Sequence, residues 1–210
     1  MLYITQDYTE DERREVLDCS VTQLRKFEES VPWIYLDTRG HATVGVGCKL
    51  ATAASAQALD FVDLSGVPAT PGDIIRNFQD VREMESGMRP EFYRTPSSVL
   101  LPETTISSLL ILRVKEFDAD ITRRYTFGYG TAPRPAKLAL LDMLFNLGDH
   151  GLFRGFHDLM VDVQHTDWAE AAVHCHRKGI SADRNAWTAA QFKAAAALQR
   201  RNGPELPEGG

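Results

Sequence analysis

Between Phe27 and Cys48 an acid, a second acid and a hydroxyl follow one another at short intervals: Glu28, then Asp37 nine residues on, then Thr43 six further. Glu28 lies four, seven and eleven residues after Leu24, Val21 and Leu17, so helical periodicity sets it on their apolar stripe with its carboxyl facing inward. A carboxyl drawn out of water has its pKa raised, as a general acid working near neutrality requires. The adjacent Glu29 is about 100° further round and four residues after Arg25, the position of an exposed ion pair. Strand alternation puts Trp33, Tyr35 and Asp37 on one face, with Ile34 and Leu36 on the other. In the return strand Thr43, Gly45 and Gly47 share a face, and Ala42, Val44 and Val46 share the apolar one, so pairing the apolar faces brings Asp37 to Thr43. The two glycines remove bulk, as where a ligand or another backbone comes close. Two carboxyl groups in different surroundings are the minimum for splitting a glycosidic bond: one protonates the leaving oxygen, the other activates water or stabilises the cationic sugar. Plainer readings stand beside this one, since an inward Glu can be salt-bridged and an Asp before Thr-Arg-Gly can simply form a turn.

These side chains need elements to hold them. Thr9-x-x-Glu12 reads as a capping box opening a helix over 9–30, which Pro32 stops. Residues 33–48 have strand chemistry on either side of a Gly-containing turn at 38–42, a hairpin. From Leu50 to Pro102 the pattern is weak and broken by Gly66, Pro68, Pro71, Gly72, Pro90 and Pro96, which predicts short helices near 56–62 and 72–87 and irregular chain elsewhere. After Pro102 the period turns helical: Thr104 or Thr105 caps a stripe of Ile106, Leu110, Val114, Phe117, Ile121 and Tyr125. A Gly/Pro-rich break at 127–135 closes it. The most apolar segment, Ala136 to Leu147, predicts a nearly buried helix ending at Gly148, followed by helices near 156–163, 167–178 and 183–201 and a frayed tail at 203–210. The fold class is α+β, mainly helical, with one early hairpin.

Composition excludes several alternatives. The 210 residues carry 43% hydrophobic and 25% charged side chains, enough for roughly 70% of the unfolded surface to be buried without staples. With 23 Lys+Arg against 29 Asp+Glu the formal charge is −6, and no run of five basic residues occurs, which disfavours nucleic-acid binding through phosphates. No apolar stretch approaches the roughly 18 residues of a membrane span, and the acidic N-terminus lacks the basic and apolar regions of a signal peptide. Cys19, Cys48 and Cys175 show no CxxC spacing and read as free, semi-buried thiols. His174-Cys175-His176 offers no metal site, because helix positions i and i+2 point about 200° apart. Trp168 and Trp187 read as packing residues, and no metal or organic cofactor is expected.

Glu28, Tyr35, Asp37, Gly40, Thr43, Gly45 and Gly47 together reproduce Glu…Tyr-x-Asp-x-x-Gly-x-x-Thr-x-Gly-x-Gly, and in this the chain resembles the phage-type lysozymes and endolysins, glycoside hydrolase family 24. Residues 139–148, AlaLeuLeuAspMetLeuPheAsnLeuGly, are similar to that family's central helix. Gly155-Phe156 and the stretch from Ser181 to Phe192 also fall where the family has a Gly-Phe pair and an arginine-bearing helix start. The resemblance implies a lysozyme-like fold in one catalytic domain: a small lobe at about 31–104, including an extended 50–103 segment, and a helical lobe at about 105–202 with the 9–30 helix. It implies cleavage of the β-1,4 bond between N-acetylmuramic acid and N-acetylglucosamine in bacterial peptidoglycan. Glu28 is then the general acid, Asp37 and Thr43 hold the attacking water for inversion, Tyr35 supports the site, Asn146 contacts sugar and Arg184 pairs with the catalytic glutamate.

Cys48 stands where the family often has His, Glu29 where it has Gly, and the 50–103 segment is longer than usual, remodelling the lobe boundary or cleft rim. An acidic muramidase without a signal peptide resembles effectors that bacteria inject into rivals by type VI secretion. That implies synthesis in the cytoplasm, action in the periplasm of another cell, a secretion-apparatus carrier and an immunity protein in the producer; a phage endolysin is the other delivery. Competing readings are a chitinase-like glycosidase and a non-catalytic cell-wall-binding module of the same fold.

Overall fold

The computed structural model describes residues 8–124 and 129–202; Tyr125, the start of the Gly/Pro-rich break and the 203–210 tail lie outside the described residues. In chain order the elements are α1 (Glu10–Phe27), β1 (Val31–Leu36), β2 (Ala42–Gly45), β3 (Cys48–Lys49), α2 (Ala53–Gln57), α3 (Pro71–Glu83), a 3-10 turn (Pro90–Tyr93), α4 (Glu103–Arg124), α5 (Arg134–Gly155), α6 (His157–Gln164), α7 (Trp168–His174) and α8 (Ala182–Asn202). The α+β, mainly helical class follows directly. Two compact units divide the chain, Arg25–Leu112 bearing the sheet and the residues up to Leu24 with those from Arg113 onward bearing most of the helices. The division falls inside α1 and α4.

In the sheet unit the expected hairpin has a third strand, giving an antiparallel order β1-β2-β3. Tyr35 pairs with Thr43 and Leu36 with Ala42, and Thr43 pairs onward with Lys49. The extra strand exists because Gly45 and Gly47 take left-handed φ values of 63° and 70°, reversing the chain in a tight turn that L side chains resist. A Cβ at Gly45 would also lie 3.3 Å from the Ile106 side chain. Gly45 thus answers to the turn and to close packing, while Gly47 answers to the turn, with nothing within 4 Å of the place a Cβ would take. Gly45→Ala should therefore destabilise the protein by about 1–2 kcal/mol, a melting-temperature drop of roughly 2–8 °C by calorimetry. An unchanged melting temperature would contradict the left-handed backbone at this position.

The long 50–103 segment is the second departure. Leu50, Phe61, Ile74, Phe78, Val81, Tyr93, Val99 and Leu101 join Ile34, Leu36 and Val44 from the sheet and Ile106 from α4 in one buried cluster. Its supposedly irregular chain is tied down by backbone pairing: Val62 and Leu100 exchange hydrogen bonds of 2.8 and 2.7 Å, and Leu101 N–H donates to Pro32 O at 2.6 Å. Side chains of Thr52 and Thr70 cap α2 and α3. These residues complete a core that the hairpin could not close alone.

In the helical unit the capping box forms as expected, with Thr9 N–H donating to Glu12 Oε2 and Glu12 N–H to Thr9 Oγ1. Within α1 the buried positions are Val16, Leu17, Ser20 and Leu24, so the inward stripe is turned from the one expected and leaves Val21 only partly buried. The predicted stripe of α4 is buried from Ile106 through Ile121. Gly148 interrupts α5 at φ 67°, after which helical structure resumes to Gly155. α8 packs on α5 and α7, and Trp168 stacks on Phe192 with ring centroids 6.3 Å apart. Asp118 is buried against the hydroxyls of Tyr129 (2.8 Å) and Tyr8 (3.2 Å), and burial pushes its carboxyl up. Cys175 is buried, whereas Cys19 is exposed. No helix among the described residues is long and apolar enough to cross a membrane.

Candidate functional site

Glu28, Tyr35, Asp37 and Thr43 all belong to the sheet unit. α1 ends at Phe27, short of the expected Ser30, so Glu28 sits in the bend just beyond the helix and is partly buried. Pro32 is not the stop; it lies inside β1. The expected Arg25–Glu29 pair is replaced, since Arg25 reaches Glu103 Oε1 at 2.9 Å and the Ser107 hydroxyl, while Glu29 is exposed. Tyr35 links the acids electrostatically: burial first, then the carboxylates of Asp37, Glu29 and Glu28, push its phenol up to about 12. The phenol therefore keeps its proton and stays a hydrogen-bond donor through the physiological range.

Asp37 is held unusually firmly. Its Oδ1 accepts the backbone N–H groups of Arg39 (2.8 Å) and His41 (2.9 Å), and its own N–H donates to His41 O at 2.9 Å. The turn-forming reading of this aspartate is correct, and the turn fixes the carboxylate plane. His41 Nδ1 lies 3.3 Å from each carboxylate oxygen, and Lys49 Nζ is 3.8 Å from Oδ2. Partial burial raises the Asp37 carboxyl, but the backbone N–H groups of His41 and Arg39 and then the His41 ring outweigh it and leave the group below the usual carboxylate range. Oδ1 is saturated with donors, so Oδ2 is the oxygen left to receive another.

Thr43 is only 2% exposed, and its hydroxyl donates to His41 O at 2.9 Å. With its proton so committed, the Oγ of Thr43 is left with acceptor lone pairs alone. His41 therefore joins Asp37 and Thr43 through both its main chain and its ring. Its signal in the sequence was its place four residues after Asp37 in a turn; Lys49 gave none, because β3 was not foreseen.

Asn146 and Arg184 belong to the helical unit, in and around a buried charge cluster. Arg184 Nε donates to Asp142 Oδ1 at 2.9 Å. On the other oxygen, Asp142 Oδ2 accepts from Arg177 Nη2 at 2.7 Å and Thr188 Oγ1 at 3.0 Å. Arg177 Nη1 lies 3.5 Å from Asn146 Oδ1. Asp142 and Arg177 are 3% and 1% exposed. One aspartate thus serves two arginines. The geometry gives Arg184 an aspartate partner that the motif comparison did not name.

Among the described residues no group of three or more His, Cys, Asp or Glu is placed to hold a metal ion. α7 ends at His174, so Cys175 and His176 are off the helix, and His174 Nδ1 instead pairs with Asp162 at 2.8 Å. The chain is thus a mainly helical α+β protein with a three-stranded sheet whose turn carries a clamped aspartate. Compared with known protein families and with curated proteins, it matches no family model and no curated sequence.

Proposed function

We propose that the protein is a lysozyme-like N-acetylmuramidase, cleaving the β-1,4 bond between N-acetylmuramic acid and N-acetylglucosamine. The observation that carries this reading is that the backbone of His41 ties both groups down: Asp37, with Oδ1 saturated and Oδ2 left to accept, and Thr43, whose proton is already given to His41 O. A water between them donates one hydrogen to Asp37 Oδ2 and the other to Thr43 Oγ. Its lone pair is then turned toward whatever anomeric carbon is presented. As the water oxygen bonds to that carbon, the bond to the leaving sugar oxygen breaks, Glu28 gives that oxygen its proton, and Asp37 takes the water's. Both carboxyl groups are reset by solvent, and the anomeric configuration inverts.

In this reading Tyr35 is a protonated donor beside the acids, while Asn146 and Arg184, the latter anchored by Asp142, keep the roles that the resemblance implies. The substrate is the peptidoglycan glycan strand, reached in the periplasm of a target or host bacterium. A chain made in the cytoplasm and delivered by type VI secretion implies a carrier and an immunity protein; delivery as an endolysin implies neither.

The test is digestion of purified sacculi and of chitin oligomers side by side, read by mass spectrometry and, in isotopically labelled water, by the anomer first released. Fragments ending in reducing N-acetylmuramic acid with the inverted anomer are expected. Cleavage of chitin alone would replace muramidase by chitinase, and a retained anomer would make Asp37 a nucleophile. No product from either polymer would leave a non-catalytic wall-binding module.

A further inference from the structure

The His41 ring is not needed to build the turn, which the backbone already closes: Asp37 N–H to His41 O at 2.9 Å and Gly40 N–H to Asp37 O at 2.8 Å. Yet its Nδ1 straddles the carboxylate at 3.3 Å from both oxygens, with half of the side chain open to solvent. A side chain placed on the two oxygens of one acid, beyond what the fold requires, acts on that acid's orientation and charge. The other charged groups nearby are Lys49, reaching in from β3 at 3.8 Å from Oδ2, and Arg39, whose backbone N–H binds Oδ1.

We infer that His41 is a positioning residue for Asp37, gripping the carboxylate so that Oδ2 meets the hydrolytic water. This inference rests on the muramidase reading. With a proton on Nδ1 and none on Nε2, the neutral ring donates to the carboxylate and holds its plane. With both nitrogens protonated, the imidazolium adds a second cation to that of Lys49, and Asp37 becomes a weaker base for the water's proton. The rest of the step is as above: the water gives its proton to Asp37 and the leaving oxygen takes one from Glu28.

Steady-state hydrolysis of soluble peptidoglycan fragments at one fixed pH tests this with three variants. His41→Ala should lower kcat by about tenfold while KM stays within about twofold, because the base is misaligned and the substrate contacts are not. His41→Gln, which keeps a neutral donor, should recover most of that loss. His41→Arg, always charged, should stay low. Wild-type kcat in His41→Ala would overturn the inference while leaving the muramidase reading intact. An inactive wild-type protein would overturn both.

Discussion

Glu28→Gln should lose about 10²–10⁴ of kcat on peptidoglycan, the range that a positioned general acid contributes, with KM little changed. The amide matches the carboxyl in shape and has no proton to give at the leaving oxygen. Glu28 is only partly buried and stands past the end of α1, and the amide keeps the side chain's volume, so the variant should still fold, with any loss of stability inside the ordinary range of about 0.5–3 kcal/mol. That separation of activity from stability is the informative part. Glu29→Gln is its natural companion, because both acids act on Tyr35 and only one can be the proton donor. Glu29 is exposed, and its amide should leave kcat within about twofold, the size of an ordinary surface change. Turnover within tenfold of wild type in Glu28→Gln would reject that glutamate as the acid, and a collapse in Glu29→Gln instead would move the role one residue along.

What was legible in the sequence divides by the range of the forces involved. α4 was readable because its stripe of Ile106, Leu110, Val114, Phe117 and Ile121 is a local periodic signal, and every member is buried. The capping box at Thr9 and Glu12 was readable for the same reason. The turn at Asp37 was readable in both of its senses, since an aspartate that accepts Arg39 and His41 N–H groups forms the turn and is oriented by it.

Where the sequence misled, longer-range contacts decided. Helical phase placed Glu28 on an inward stripe, but α1 frays at Phe27 and Arg25 is drawn to Glu103, 78 residues away. Residues 50–103 looked irregular because their hydrophobic residues are spaced for no single element. They are spaced for a shared core instead, and Val62 reaches its backbone partner only at Leu100. Gly45 and Gly47 read as the close approach of a ligand or another backbone, when left-handed backbone at a tight turn accounts for both and Ile106 packs against Gly45. Asp142 gave the one distant signal that could have been used. An aspartate inside the most apolar segment of the chain must find buried partners, and Arg184 and Thr188, four apart on one face of α8, were positioned to supply them.

Asp142→Ala should be the most destabilising single change considered. It leaves Arg177 and Arg184, both buried, without their shared anion, while the Thr188 hydroxyl keeps Arg184 O as an acceptor at 2.9 Å. Removing one partner of a buried charge cluster typically costs about 3–5 kcal/mol, which for a chain of this size is a melting-temperature fall of roughly 6–20 °C. A second variant separates uncompensated charge from lost packing. Replacing the cluster together, with Asp142→Leu, Arg177→Met and Arg184→Met, takes away the charges along with their partner, and should recover much of the stability, because apolar side chains of similar volume often replace a buried ion cluster without loss. Recovery in the triple variant assigns the cost of Asp142→Ala to stranded arginines; a triple variant as unstable as the single one would assign it to shape.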